Sequence, residues 1–224
     1  MGEVALARET SARIDRYAAL QPEIRINRRA ESTIFDHAAA VDQRVAYGEQ
    51  LPLAGVPFAI KDNIALAGIP ATVDCAQFAY IPDESAYVVA PLMAAGAVPI
   101  GKSNLDQFAT GPDGRRNSHG VSACVCNHAY VSGGSNPGSA GAVAAGLAPI
   151  ALGTDRGRFG RVSAAFNNLM DFEPAKGRWS MSGLVSACRS LDSHLGASTN
   201  FLNFFNIMAV AVRQVSAPIA RALA

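Results

Sequence analysis

One stretch of this sequence has the residue types and spacing of phosphate chemistry. Gly96-Ala-Val-Pro-Ile-Gly101-Lys102-Ser103 fits the pattern G-x-x-x-x-G-K-[ST], in which backbone N–H groups between a strand and a helix cradle phosphates. Its interior argues otherwise. Pro99 has no N–H to donate, and the apolar quartet reads as a strand in its own right. The residues before Gly96 read as helix, so the order is helix, strand, loop, and nucleotide binding stays a remote reading. Metal chemistry is suggested by Cys124-Val-Cys126 with His119 and His128 close by. Four ligand-type residues within about ten positions fit no standard zinc spacing. Incidental substitutions in a loop explain them better, and we expect no metal and no cofactor.

A third group is defined by position. Ser132-Gly-Gly-Ser135-Asn-Pro-Gly-Ser-Ala-Gly-Ala opens a helix, and alone it is an ordinary Gly/Ser loop. Its company gives it weight. Lys61 ends the short apolar run Val56-Pro-Phe-Ala-Ile60, and Gly153-Thr154-Asp155 ends a later one. Strand ends that point polar residues toward one rim are the usual place for a site in an α/β sheet.

Certain elements must hold these residues. Residues 3–47 carry apolar positions at helical spacing among charges, and Pro22 divides them into two expected helices. Val56–Ile60 reads as a buried strand. Ser85–Ala95 reads as a short helix weakened by Pro91 and capped by Gly96, followed by a strand at 97–100. Residues 111–134, rich in Gly, Ser, Asn and His, read as a long functional loop. A small-residue helix at 139–148, a strand at 148–153 and a helix over Val162–Met170 follow. The alternation predicts an α/β layered fold. After Leu191 the chain turns apolar with helical spacing, interrupted by Pro218. Trp179 and the group Phe201, Phe204 and Phe205 read as core, or as a patch that drives association if left uncovered.

Composition narrows the class. Of 224 residues 50% are hydrophobic and 17% charged, which excludes a disordered chain. A net charge of +1 lacks the basic excess of a nucleic-acid binder. No apolar run nears the ~20 residues that cross a bilayer. The N-terminus is too charged for a secretory signal, and Leu6 stands where a myristoylation signal wants Ser or Thr. Four cysteines in so long a chain are no disulfide framework. We therefore expect a cytoplasmic protein without nucleic-acid or membrane partners.

Taken together, GVPFAIKDNI, GKSNLDQFATG, AYVSGGS, VAAGLAPIALGTD, AAFNNL and SACRSLD resemble the amidase-signature family, and within it most nearly the allophanate hydrolases. The resemblance runs over about residues 50–192. It implies an α/β/α sandwich around a mixed sheet and hydrolysis of an amide C–N bond, with allophanate giving ammonia and carbon dioxide. It also implies a serine–cis-serine–lysine triad. Carried over by position, the lysine is Lys61 and the relay serine is Ser135, after a cis bond from Gly134. The chemistry is coherent, because a serine attacks only when a base takes its proton, and a lysine is a base only when burial keeps it neutral. Cys75 and Cys188 fall where relatives also carry cysteines and are expected to be buried.

The third triad member is absent. Where the family reads G-T-D-T-A-G-S-G-R-V-P-A-A-F, this chain has Gly153-Thr-Asp-Arg156-Gly157-Arg158-Phe159-Gly-Arg-Val-Ser163-Ala-Ala-Phe166. Phe159 occupies the nucleophile position, and Arg156, Gly157 and Arg158 occupy the positions whose N–H groups would form the oxyanion hole. Asn136-Pro137 replace small residues beside the relay serine. The chain is about half the usual family length, so the sheet is expected to be incomplete. The expected organisation is an N-terminal helical segment (1–48), an amidase-signature core (49–192) and an apolar helical segment (193–224). Three functions follow: an amide hydrolase of weak or no activity, a non-catalytic homologue binding a small amide, a second copy or a partner hydrolase, and the remote nucleotide binder.

Overall fold

The computed structural model describes residues 22–157 and 159–199. Its centre is a mixed six-stranded sheet in the order β1-β3-β2-β4-β6-β5. The strands are β1 (Arg25–Arg28), β2 (Pro57–Lys61), β3 (Val98–Ser103), β4 (Ile150–Asp155), β5 (Met170–Phe172) and β6 (Ser193–Ser198). The helices are α1 (Glu31–Ala46), α2 (Val89–Ala94), α3 (Pro137–Ala144) and α4 (Phe159–Phe166). Strands β3, β2 and β4 run parallel, while β1, β6 and β5 each pair antiparallel with their neighbour. Among the described residues no helix is long and apolar enough to cross a membrane.

Alternation along the strands fixes the two faces. Phe58 and Ile60 of β2 join Ile150 and Leu152 of β4 in one apolar cluster, with Val89 and Leu92 of α2. Ala59 and Ala151 point the other way, into a cluster with Ala142 and Val143 of α3. Lys61, two residues after Ala59, thus leaves β2 on the α3 side. Close approach of α3 to the sheet requires its small residues. A Cβ on Gly138 would run into the backbone of Ile24 and Asn104. The Ser139 hydroxyl bonds to the Leu152 carbonyl at 3.1 Å.

The sequence reading needs several corrections. Of residues 3–47, those before 22 lie outside the described ones, and Arg25–Arg28 is an edge strand rather than helix. Pairing on one side only, through its backbone, it makes no demand for an apolar sequence. In α1 the buried residues are Ile34, Ala38 and Val41, as the spacing predicts. Helix α2 is shorter than expected, and Pro91 is its third residue, where an N–H has no intrahelical acceptor to lose. Helix α4 stops at Phe166. Asn168 then takes a positive φ of 55°, and Met170, expected to end the helix, opens β5 (Met170–Phe172) instead. The sheet also runs past residue 192, because β6 pairs with β4 from Ser193 to Ser198. Phe201, Phe204 and Phe205 lie outside the described residues.

The stretch resembling a phosphate loop is strand. Gly101, Lys102 and Ser103 complete the buried β3, and the Lys102 ammonium lies 3.2 Å from Asp62 Oδ1. Its backbone N–H groups serve the sheet, and its lysine already has an anion. Cys75 and Cys188 are both partly exposed rather than buried. Each sits in a surface turn, and the Cys188 thiol faces Ser190 Oγ at 3.3 Å.

Candidate active site

Lys61, at the end of β2, is wholly buried. Its Nζ lies 2.8 Å from Ser135 Oγ and 2.8 Å from Thr154 Oγ1. Three stretches of chain, separated by 74 and 93 residues, therefore converge on one nitrogen. Burial pushes the Lys61 pKa down to about 7, with Arg156 adding to the effect and Asp106, Asp192 and Asp155 opposing it. A neutral amine has two hydrogens to give and one lone pair. It can donate to Thr154 while accepting from the Ser135 hydroxyl.

The serine is held by its surroundings. The Gly134–Ser135 peptide bond is cis. A Cβ on Gly134 would collide with the Asp106 carboxylate. Asp106 in turn accepts the N–H groups of Gly114 at 3.0 Å and Arg116 at 2.8 Å, tying the long loop beneath Ser135. Asn136 follows, its N–H donating to Ser163 Oγ at 3.2 Å. A Cβ on either Gly153 or Gly160 would touch its side chain, so Asn136 fills the gap between β4 and the start of α4.

Phe159, which the resemblance places at the nucleophile position, follows β4 on the same rim. Phe159 begins α4, and its half-buried ring sits 5.7 Å from the Arg156 guanidinium. Gly157 adopts a positive φ of 61° at the exposed tip of the turn. Arg158 is outside the described residues. Asp155 accepts the Gly160 N–H at 3.3 Å and pairs with Arg161 at 2.7 Å, anchoring the first turn of α4 to the sheet. The nearest hydroxyl in this helix, Ser163, bonds within the Asn136–Phe159 region rather than to Lys61.

The residue pattern put Thr154 at a strand end without giving it a partner, and it did not single out Asn63 or Asp106. Asn63 Nδ2 supports Thr154 Oγ1 from 3.3 Å. All three stand in the motifs that carry the family resemblance, at or just after a strand end, and that placement was the available signal. Among the described residues, no three His, Cys, Asp or Glu side chains are grouped to hold a metal ion. The Cys124 thiol is buried, 3.0 Å from the Phe166 carbonyl, whereas Cys126 is exposed.

The Amidase family pattern matches residues 8–200. The chain belongs to the amidase family. A urea amidolyase from Lachancea kluyveri is 54% identical over 156 residues, covering 70% of this chain and 8% of that protein. A glutamyl-tRNA(Gln) amidotransferase subunit from Deinococcus radiodurans is 41% identical, covering 81% of this chain and 37% of its own length. The solved Kluyveromyces lactis allophanate hydrolase superposes with a TM-score of 0.79 at 39% identity, over 93% of this chain and 34% of that one. This amidase-family chain thus spans well under half the length of these relatives. The mixed sheet with helices on both faces is the amidase fold.

Proposed function

We propose that this chain is an amide-hydrolase homologue of the allophanate hydrolase type, assembled for proton transfer but lacking the attacking serine. The carrying observation is the 2.8 Å contact between buried Lys61 and Ser135 on a cis peptide, beside a phenylalanine at the nucleophile position. Greater identity to urea amidolyase than to the amidotransferase subunits favours allophanate as the amide. In this reading neutral Lys61 is the base. Ser135 passes it a proton, and position 159 would supply both that proton and the bond to the carbonyl carbon. Phenylalanine has neither a proton to give nor a lone pair to attack with. Arg156, Gly157 and Arg158 supply the backbone at the oxyanion-hole positions. The chain therefore holds a small amide and releases ammonia at most slowly, and a role as a binding or partner subunit, with a second copy or a hydrolase, follows from the same substitution. We also assign it to the cytoplasm.

Purified protein is incubated with allophanate at pH 8, and ammonia release and labelling by a fluorophosphonate are both measured. We expect near-background ammonia and no label. Robust turnover that Lys61→Met abolishes would overturn the loss of the nucleophile. Robust turnover lost on Ser163→Ala would mean that a neighbouring serine had taken over.

A further inference from the structure

The hairpin at residues 122–132 carries a Cys-x-Cys pair that the site around Lys61 does not use. Ala123 pairs antiparallel with Val131, the Cys124 N–H donates to the Tyr130 carbonyl at 2.8 Å, and the Ser132 N–H donates to the Ser122 carbonyl at 2.9 Å. Between these bonds the chain bends at Val125 and Cys126. Residues two apart lie within about 7 Å even on an extended chain. A bend brings their Cα atoms closer, into the range of about 4.4–6.8 Å that a disulfide spans. The two thiols are also near enough to interact, since partial desolvation and then the neighbouring Cys124 thiol push the Cys126 pKa up.

Their surroundings differ. Cys124 is only 5% exposed, and its thiol donates to the Phe166 carbonyl at 3.0 Å. Phe166 ends α4, so that carbonyl has no N–H partner within the helix. Its neighbour Asn167 accepts the Val125 N–H at 3.2 Å and donates to the carbonyl of Ser132, at the head of the Ser132–Ser135 loop, at 2.9 Å. Cys126 is exposed. A reagent in solution therefore reaches Cys126 first, and once a group is attached there the thiol within reach is Cys124. Cys75 and Cys188 lie in other turns, the first facing Gln77 at 3.6 Å and the second facing Ser190.

We propose that Cys124 and Cys126 form a modification site, at which a small-molecule disulfide is reduced and a disulfide within the hairpin is made. The Cys126 thiolate attacks one sulfur of the reagent, giving a mixed disulfide and releasing one thiol. The Cys124 sulfur then attacks that of Cys126 and displaces the second thiol. Both cysteine protons end on the released thiols, and the two electrons that the cysteines lose reduce the reagent. The exchange strips Cys124 of the hydrogen it gave to Phe166, so oxidation uncaps α4 beside the Ser132–Ser135 loop. It needs no amide turnover and stands or falls apart from the catalytic reading.

Trypsin leaves residues 117–156 as one peptide that holds Cys124 and Cys126 and no other cysteine. The full chain, reduced and folded, is incubated with oxidised glutathione at mildly alkaline pH, quenched in acid and mapped by mass. That peptide should lose two hydrogens and carry no glutathione, and dithiothreitol should restore it. Cys126→Ser should leave the peptide unmodified, whereas Cys124→Ser should hold one glutathione on Cys126. If Cys124→Ser does not fold, the wild-type peptide and Cys126→Ser decide. A stable glutathione adduct on the wild-type peptide overturns the proposal. So does a wild-type peptide left unmodified, or a glutathione adduct on Cys124 in Cys126→Ser.

Discussion

Asp62 pairs with Lys102, on the neighbouring strand, and not with Lys61, the residue before it in the chain. Lys102 also donates to the Asp62 carbonyl at 3.1 Å. The other carboxylate oxygen of Asp62 is taken by the N–H groups of Thr72 and Val73, both at 2.8 Å. Two lysines are thus buried on adjacent strands, Lys102 with a counter-ion and Lys61 with hydroxyl partners. The division of labour keeps Lys102 structural and leaves Lys61 free to be neutral.

Breaking that pair should be costly. Lys102→Met leaves Asp62 charged and uncompensated in the core, and Asp62→Asn does the same to Lys102. Losing one partner of a buried pair costs about 3–5 kcal/mol. Guanidinium unfolding of both single variants and the double variant should show the double costing less than their sum. Additive effects would mean that the two charges do not depend on each other.

The neutral lysine predicts a pH dependence of stability. Folding lowers the Lys61 pKa from 10.5 to about 7, so between those values the unfolded chain holds a proton that the folded chain does not. Stability from this group therefore rises with pH from 7 toward 10, with a slope of at most about 1.4 kcal/mol per pH unit. Lys61→Met should remove that slope, gaining most relative to wild type below pH 7. Unfolding curves at pH 6 and pH 9 measure the difference. A wild-type slope unchanged in the variant would assign the titration to another group.

Asp171 behaves in the opposite sense. Burial, with help from Asp155 and Glu173, pushes its pKa up to about 7, against the pull of Arg161 and of the Phe172 N–H. The folded chain keeps a proton that the unfolded chain loses above its ordinary value near 4, so stability falls from pH 4 to 7 and is then level. Asp171→Asn should stabilise the protein at pH 7.5 by about 1–3 kcal/mol and have little effect at pH 4. Thermal melts at the two pH values check this.

Restoring one hydroxyl should not restore the enzyme. Phe159→Ser should release ammonia from allophanate within about tenfold of background, because oxyanion donors act only when correctly placed. The Asn136 side chain would still fill the space between Gly153 and Gly160. Adding Asn136→Ser with Pro137→Gly, and then Arg156→Thr with Arg158→Gly, should raise the rate stepwise. High activity from the single serine replacement would show the pocket to be otherwise intact.

The strands that sequence revealed are those buried on both faces. Val56–Ile60 and the run ending at Asp155 are continuous apolar stretches, and these deliver Lys61 and Thr154. Strands β1 and β6 were missed for different reasons. Arg-Ile-Asn-Arg, at a sheet edge, is too short and too polar to read as a strand, whereas Ser-His-Leu-Gly-Ala-Ser is buried through small polar residues without an apolar signal. Position along the chain placed Lys61, Ser135 and Asp155 at strand or helix ends, but their roles came from the family resemblance. No local pattern says that Ser135 meets a lysine 74 residues earlier, or that Asp106 sets its loop.

The separation between Lys61 and its partners also bears on how the protein comes into being. During synthesis Lys61 is added 74 residues before Ser135 and 93 before Thr154, and β6, which closes the far side of β4, comes later still. Until then β2 lacks its β4 neighbour and the lysine remains hydrated and cationic. Contacts so distant in sequence make for slow closure, because the loop entropy is lost before any contact compensates. The nascent chain thus passes through a stage in which apolar strands are exposed and the sheet is unfinished. A neutral lysine at the rim emerges only once β4 is laid against β2, and each molecule that folds between pH 7 and 10 gives up a proton as it does so.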